Sequence, residues 1–115
     1  MGQLKCTARL EGEFKVTAEV EGYQYIMDAP AKVRGTDLGA SPMGLLLAAL
    51  AGCKLMTTRV YARKNGITLD ECEVVITGDY RHKSGNVDLN LTVDEYVKTD
   101  ASDEQIEEMN EYVDK

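Results

Sequence analysis

Residues 41–64 read SPMGLLLAALAGCKLMTTRVYARK, and the fold turns on this stretch. Ser41 can cap a helix by accepting from an unpaired backbone N–H, and Pro42 suits the first helical position, where its missing donor costs nothing. Asn65-Gly66 supplies a C-terminal stop. The first half of the helix is apolar on every face, so burial on all sides is expected. A chain of 115 residues can hardly cover such a helix by itself, and a second copy of the chain is expected to cover the rest. The second half turns amphipathic, with Thr57, Arg59, Arg63 and Lys64 expected nearer water.

Working outward, the N-terminal segment alternates. Leu4, Cys6, Ala8 and Leu10 are separated by polar neighbours, as are Phe14, Val16, Ala18 and Val20. Glu11-Gly12 and Glu21-Gly22 break these runs where tight hairpin loops need positive φ. With a third run at Tyr23 to Met27, a three-stranded meander is expected. Between Asp28 and Ala40 the pattern dissolves into a loop marked by Pro30, Gly35, Asp37 and Gly39; structureless loops of that length are often functional. Beyond the helix, Cys72, Val74 and Ile76 face Val87, Leu89, Leu91 and Val93 in a second hairpin, with a turn expected at Ser84-Gly85-Asn86. Ser102 and Gln105 form a capping box for a short helix whose apolar stripe is Ile106, Met109 and Val113. The order β-β-β-α-β-β-α over residues 1–115 describes one α+β domain: a meander, a long buried central helix, a hairpin and a short C-terminal helix.

Charge and cysteine usage narrow the function. Twenty acids against thirteen bases give a net charge of −7, and no basic block is present to meet a phosphate backbone or an anionic membrane surface. Neither nucleic acid nor membrane is expected as a partner. The longest nearly apolar run, Met43 to Cys53, stops at Lys54 and is too short to span a bilayer. No basic stretch followed by an apolar one opens the chain, so no signal peptide is expected. Three scattered cysteines are not a disulfide framework and suit a reducing compartment, which makes the cytoplasm the expected location.

Few residues invite chemistry. His82 is the lone histidine and is expected in a solvated turn, which disfavours a zinc site or a Cys-His device. GTDLGASP is neither a Walker loop nor a dinucleotide fingerprint, and no cofactor is implied. The acidic pairs Asp70-Glu71, Asp94-Glu95 and Glu107-Glu108 read as surface charge. Cys6 and Cys72 lie on apolar strand faces, where a thiol serves as a small hydrophobe. By helical period alone Cys53 also reads as core, on the row Leu46, Ala49, Leu50, Met56 and Val60.

The segment GTDLGASPMGLLLAALAGC, however, resembles the signature of the OsmC/Ohr superfamily: a glycine-rich lead-in, a Ser-Pro helix start, and a cysteine eleven residues after the proline, here Pro42 and Cys53. The order of elements matches along essentially the whole chain. The resemblance implies an intertwined homodimer with two active sites at its interface. It further implies reduction of organic hydroperoxides without metal or flavin, in defence against oxidative stress. The matching cysteine, Cys53, would be the nucleophile that becomes a sulfenic acid, and a dithiol would restore it.

Such chemistry needs a thiolate, whereas a free thiol ionises near about pH 8.5 and the helix dipole acts only within the first turn. In the family an arginine from the loop before the long helix supplies the cation, which makes Arg34 the candidate and Arg9 the alternate. Two positions depart from the pattern. The family's orienting glutamate follows the proline, where this chain has Met43 and then Gly44. Its resolving cysteine is expected just past Lys115, with the C-terminal part of the family fold. A non-catalytic dimer holding a small apolar molecule against Met43, Leu46 and Met56 is the alternative, and a cysteine redox sensor is a further one.

Overall fold

The computed structural model describes residues 2–83 and 86–113, the side chains of residues 82, 83, 86 and 87 excepted. The chain divides into two compact units, residues 1–46 and residues 47–115, and the long helix begins in the first and continues through the second.

The first unit holds a three-stranded antiparallel meander: β1 (Cys6–Leu10), β2 (Val16–Val20) and β3 (Tyr23–Met27). Its register sets Leu10 opposite Val16, and Val20 opposite both Cys6 and Tyr23. The second turn is the two-residue hairpin expected at Glu21-Gly22. Both residues have positive φ, 54° and 81°, as a turn matching the strand twist requires. The one-sided burial expected of the alternation is not met within the chain. Ala18 is buried, but every residue of β1 is exposed, Cys6 included, because no second layer of this unit lies over that strand.

A loop expected to be structureless joins β3 to the helix. It is instead ordered, with a short 3-10 turn at Ala31–Val33. Its far end returns to the sheet through a parallel bridge between Met27 and Ala40, where the Asp28 N–H donates to the Ala40 carbonyl at 3.1 Å.

The second unit is built on α1 (Pro42–Lys64), the hairpin β4 (Leu69–Lys83) and β5 (Asn86–Thr99), and α2 (Asp103–Val113). The caps lie where the sequence places them. Ser41 Oγ accepts from the Gly44 N–H at 3.1 Å. At the other end Gly66 has φ 63° and the Ile67 N–H returns to the Ala62 carbonyl at 2.9 Å, which satisfies an otherwise unpaired carbonyl of the last turn. Before α2, the Ser102 N–H donates to Gln105 Oε1 at 3.0 Å and the Gln105 N–H to Ser102 Oγ at 3.2 Å, the reciprocal bonds of a capping box. Asp103 and Glu104 in the first turn complement the helix dipole.

Within the single chain little of α1 is buried. Only Thr58 and Ala62 are fully buried, both in the second half, where Arg59, Arg63 and Lys64 are exposed as its amphipathic pattern leads one to expect. Leu46, Leu50, Met56 and Val60 are exposed. The cause is the sidedness of the contacts its own chain can offer. Leu47 reaches over Gly78 of β4, where a Cβ would come within 3.2 Å of Leu47 Cδ1. Tyr61 stacks against Tyr112 of α2 with ring centroids 5.4 Å apart and donates to Glu108 at 3.2 Å. By length and hydropathy alone, α1 is a helix that could cross a bilayer, against the expectation drawn from the shorter run ending at Cys53.

Strand β5 runs further than expected, to Thr99, so Glu95 lies in the ladder opposite Val74 and is half-buried rather than solvated. His82 belongs to β4, paired with Val87, and not to a turn; its side chain and the expected turn residues Ser84 and Gly85 lie outside the described residues.

The apolar stripe of α2 is as expected: Met109 is 0% exposed, with Ile106 and Val113 half-buried. Deleting a fully buried Met side chain removes its transfer free energy and leaves a cavity. Met109→Ala is therefore expected to destabilise the protein by about 2–5 kcal/mol, read from the denaturant midpoint in urea. A change below about 1 kcal/mol would mean that the site collapses or that α2 is not integral to the core.

Candidate functional site

Cys53 lies on the exposed side of α1 and is a free thiol, against its reading as core. By helical period it shares a face with Leu46, Leu50, Met56 and Val60, and Met56 is 74% exposed. Its carbonyl accepts from Thr57 Oγ1 at 2.8 Å. Met43 and Gly44, at the family's glutamate positions, are half-buried in the first turn of the helix. Of the expected pocket residues, Leu46 and Met56 are exposed and Met43 is half-buried. Cavities lie along the β4–β5 hairpin and beside Lys54, Val93, Glu95 and Asn110.

The other two thiols differ in setting. Cys6 is exposed on β1. Cys72 is half-buried on β4, where burial pushes its thiol up, the Glu95 carboxylate adds to the rise and Arg59 opposes it. Arg9, the alternate cation, is on β1 opposite Thr17 and lines a groove with Lys5, Thr7 and Glu19. Among the described residues no group of three histidine, cysteine or acidic side chains is placed to hold a metal ion.

Arg34 is exposed and closes the 3-10 turn in a left-handed conformation, φ 74°. What holds this loop is a residue that sequence reasoning passed over. Asp28 is only 4% exposed. Its carboxylate accepts from the N–H groups of Ala29 at 2.7 Å and of Thr36 and Leu38, each at 3.3 Å, and from the Thr36 hydroxyl. The loop backbone closes inside this clamp: the Gly35 N–H donates to Pro30 and the Asp37 N–H to Ala29.

The two glycines of the lead-in are required by close approach. A Cβ on Gly35 would lie 1.8 Å from the Ala29 carbonyl oxygen, and one on Gly39 2.2 Å from that of Ile26. An acid followed by glycines at these intervals is the only sequence signal of the arrangement. A lone Asp before a proline also fits a surface turn, so that signal is weak.

The lead-in, the capped helix start and the helix cysteine agree with a family pattern, and the model of the OsmC-like protein family matches residues 35–115. The chain belongs to the OsmC-like proteins. Among solved structures, an OsmC-like protein from Mycoplasma pneumoniae superposes with a TM-score of 0.84 at 26% identity, covering 97% of this chain and 80% of its own. An organic hydroperoxide resistance protein from Legionella pneumophila gives 0.75 at 14% identity, covering 98% and 82%. The organic hydroperoxide resistance protein OhrB of Bacillus subtilis gives 0.66 at 20% identity, covering 97% and 83%. At these lower identities the likeness is one of fold. No curated protein matches the chain by sequence. In this OsmC-like chain the conformation of the lead-in therefore rests on an acid and two glycines, and the helix start on Ser41.

The clamp has a pH signature. The Thr36 hydroxyl bond holds the Asp28 carboxyl below its ordinary value of 3.8; burial opposes this, and the three backbone N–H bonds add to the lowering. A carboxyl with a depressed folded-state value stabilises the fold fully above its unfolded value, and loses that contribution as pH falls through the folded one. The difference in thermal midpoint between wild type and Asp28→Asn is expected to be constant above about pH 5 and to close as pH falls below 3.8. A difference independent of pH down to acid unfolding would show that the carboxylate charge does not hold the loop.

Proposed function

We propose that this OsmC-like protein is a thiol-dependent peroxidase for organic hydroperoxides, with Cys53 as nucleophile and a role in defence against oxidative stress. The observation that carries the reading is a free thiol, at the family's cysteine position, exposed on an apolar helix face. The fold neighbours described as organic hydroperoxide resistance proteins support it.

In the proposed reaction the Cys53 thiolate attacks the distal oxygen of ROOH. The O–O bond breaks, the alcohol ROH leaves after taking a proton, and sulfur is oxidised to the sulfenic acid. A dithiol returns it to the thiol, releasing water and becoming a disulfide. Arg34 is the proposed cation that favours the thiolate, with Arg9 as the alternate. Met43, Leu46 and Met56 would receive the organic portion of the substrate. The location consistent with this chemistry is the reducing cytoplasm.

The working form in this proposal is a homodimer. The apolar side chains of Leu46, Leu50, Met56 and Val60 are exposed in the single chain, and a second copy is expected to cover part of this row. Such an obligate interface buries more than about 2,000 Å² in total. Light scattering is expected to give twice the 12.7 kDa chain mass at micromolar concentration; a stable monomer would sink the dimer.

One observation favours a second reading, a non-catalytic dimer that binds a small apolar molecule: Met43 and Gly44 stand where the family has its orienting glutamate. Replacing Cys53 separates the two. Cys53→Ser is expected to stop peroxide consumption while leaving the dimer folded. The wild-type protein should prefer bulky organic hydroperoxides over hydrogen peroxide by roughly tenfold or more, the discrimination an apolar pocket can supply. If Cys53 forms no sulfenic acid with peroxide and Cys53→Ser only lowers the melting temperature, the apolar-ligand reading takes first place. A sulfenate that forms but that no dithiol reduces would identify a redox sensor.

A further inference from the structure

Two adjacent threonines on α1 use their hydroxyls alike and lie in different surroundings. Thr58 Oγ1 donates to the Lys54 carbonyl at 2.9 Å, and Thr57 Oγ1 to the Cys53 carbonyl at 2.8 Å. Thr58 is 1% exposed, so its hydroxyl must find a partner within the helix. Thr57 is only half-buried, and water could serve its hydroxyl as well. A β-branched residue also forms helix less readily than Ala or Leu. Burial accounts for the hydroxyl of Thr58 and does not account for one at position 57.

What surrounds Cys53 gives that hydroxyl a use. Side chains three and four residues apart share a helix face, with Cβ atoms about 5–6 Å apart. The neighbours of Cys53 on α1 are therefore Ala49, Leu50, Met56 and Thr57, and only Thr57 is polar. Lys54, next in sequence, lines the cavity with Val93, Glu95 and Asn110 on another side of the helix. A helical side chain leans over the turn before it, which carries the Thr57 hydroxyl back to residue 53, as its bond to the Cys53 carbonyl shows. The exposed thiol thus has one hydroxyl beside it on an otherwise apolar helix face.

A hydroxyl has one proton to donate and two lone pairs that accept. The Thr57 proton is committed to the Cys53 carbonyl, which leaves the oxygen as an acceptor. A hydroperoxide ROOH carries its O–H on the distal oxygen, the atom that a thiolate attacks. We infer that Thr57 orients the substrate at Cys53: the hydroperoxide O–H donates to Thr57 Oγ1, which holds the distal oxygen beside the thiol while R lies along Leu50 and Met56. In the reaction the S–O bond forms and the O–O bond breaks, and its electron pair leaves with RO−, which takes a proton from water to give ROH. The hydrogen stays on the transferred oxygen as the Cys53 sulfenic acid and remains bonded to Thr57. This rests on the reading of Cys53 as nucleophile given above.

The test compares, in the full chain, Thr57→Val, which keeps the shape and removes the hydroxyl, with Thr57→Ser, which keeps the hydroxyl. Two rates are read at Cys53. One is sulfenic acid formation with cumene hydroperoxide, trapped by dimedone. The other is reaction with methyl methanethiosulfonate, which has no O–H or N–H to donate. Peptide mass spectrometry separates Cys53 from Cys6 and Cys72, and circular dichroism checks the fold. Thr57→Val is expected to slow the peroxide reaction by roughly three- to tenfold, the rate equivalent of one hydrogen bond, and to leave the thiosulfonate rate unchanged. Thr57→Ser is expected to keep the wild-type peroxide rate.

An unchanged peroxide rate in Thr57→Val overturns the role of Thr57 and leaves Cys53 as nucleophile. Equal slowing of both rates also overturns it, because the hydroxyl then acts on the thiol and not on the hydroperoxide. So does a Thr57→Ser as slow as Thr57→Val, which would make shape the cause. If wild-type Cys53 forms no sulfenic acid, the peroxidase reading itself has failed and Thr57 falls with it. Should Thr57→Val not fold, Thr57→Ala decides: slowing with the hydroperoxide alone supports the role, and any other pattern overturns it.

Discussion

The helix α1 carries apolar side chains on two opposite sides, and its own chain engages only one of them. On the engaged side small residues do the fitting: Ala62 and Thr58 are buried, and Gly78 gives Leu47 room. On the other, a row from Leu46 to Val60 lies open, with Cys53 in its middle. This asymmetry governs everything else. It leaves the thiol exposed in the single chain, amid the exposed apolar side chains of Leu46, Leu50, Met56 and Val60. The chemistry proposed for Cys53 and the homodimer proposed for the chain are therefore two consequences of one unpartnered surface.

The parts of this arrangement that were legible in the sequence are the local ones. Ser41-Pro42, Asn65-Gly66, Glu21-Gly22 and the Ser102–Gln105 pair each act within a few residues, so their physics is complete in the local sequence. Periodicity also found the rows of α1 and the stripe ending in the buried Met109. It could not say which row the chain covers itself. Apolar residues at helical spacing look alike whether the second surface comes from the same chain or from another, and so Cys53 read as core by period alone. The same ambiguity hid the exposure of β1 and the half-burial of Glu95.

Asp28 was missed for a different reason. Its partners are backbone N–H groups at residues 29, 36 and 38, and a backbone donor leaves no mark in a sequence. The glycines that do leave a mark, Gly35 and Gly39, are informative only once the carbonyls of Ala29 and Ile26 are placed against them. Family likeness located the segment, while the physical cause of its shape needed coordinates.

The three thiols illustrate how one side-chain chemistry is divided by setting. A buried thiol beside a carboxylate is held in its neutral form, because both desolvation and the negative charge oppose the thiolate. Cys72 has both, half-buried on β4 with Glu95 adding to the rise and Arg59 opposing it. Glu95 reaches that position only because β5 continues through residues 94–99, so the same strand extension that lengthens the hairpin brings a carboxylate to its cysteine. Cys53 is instead exposed on the outward side of α1. The chain thus sets a half-buried thiol in the hairpin, where burial and a carboxylate oppose ionisation, apart from one left exposed on the helix.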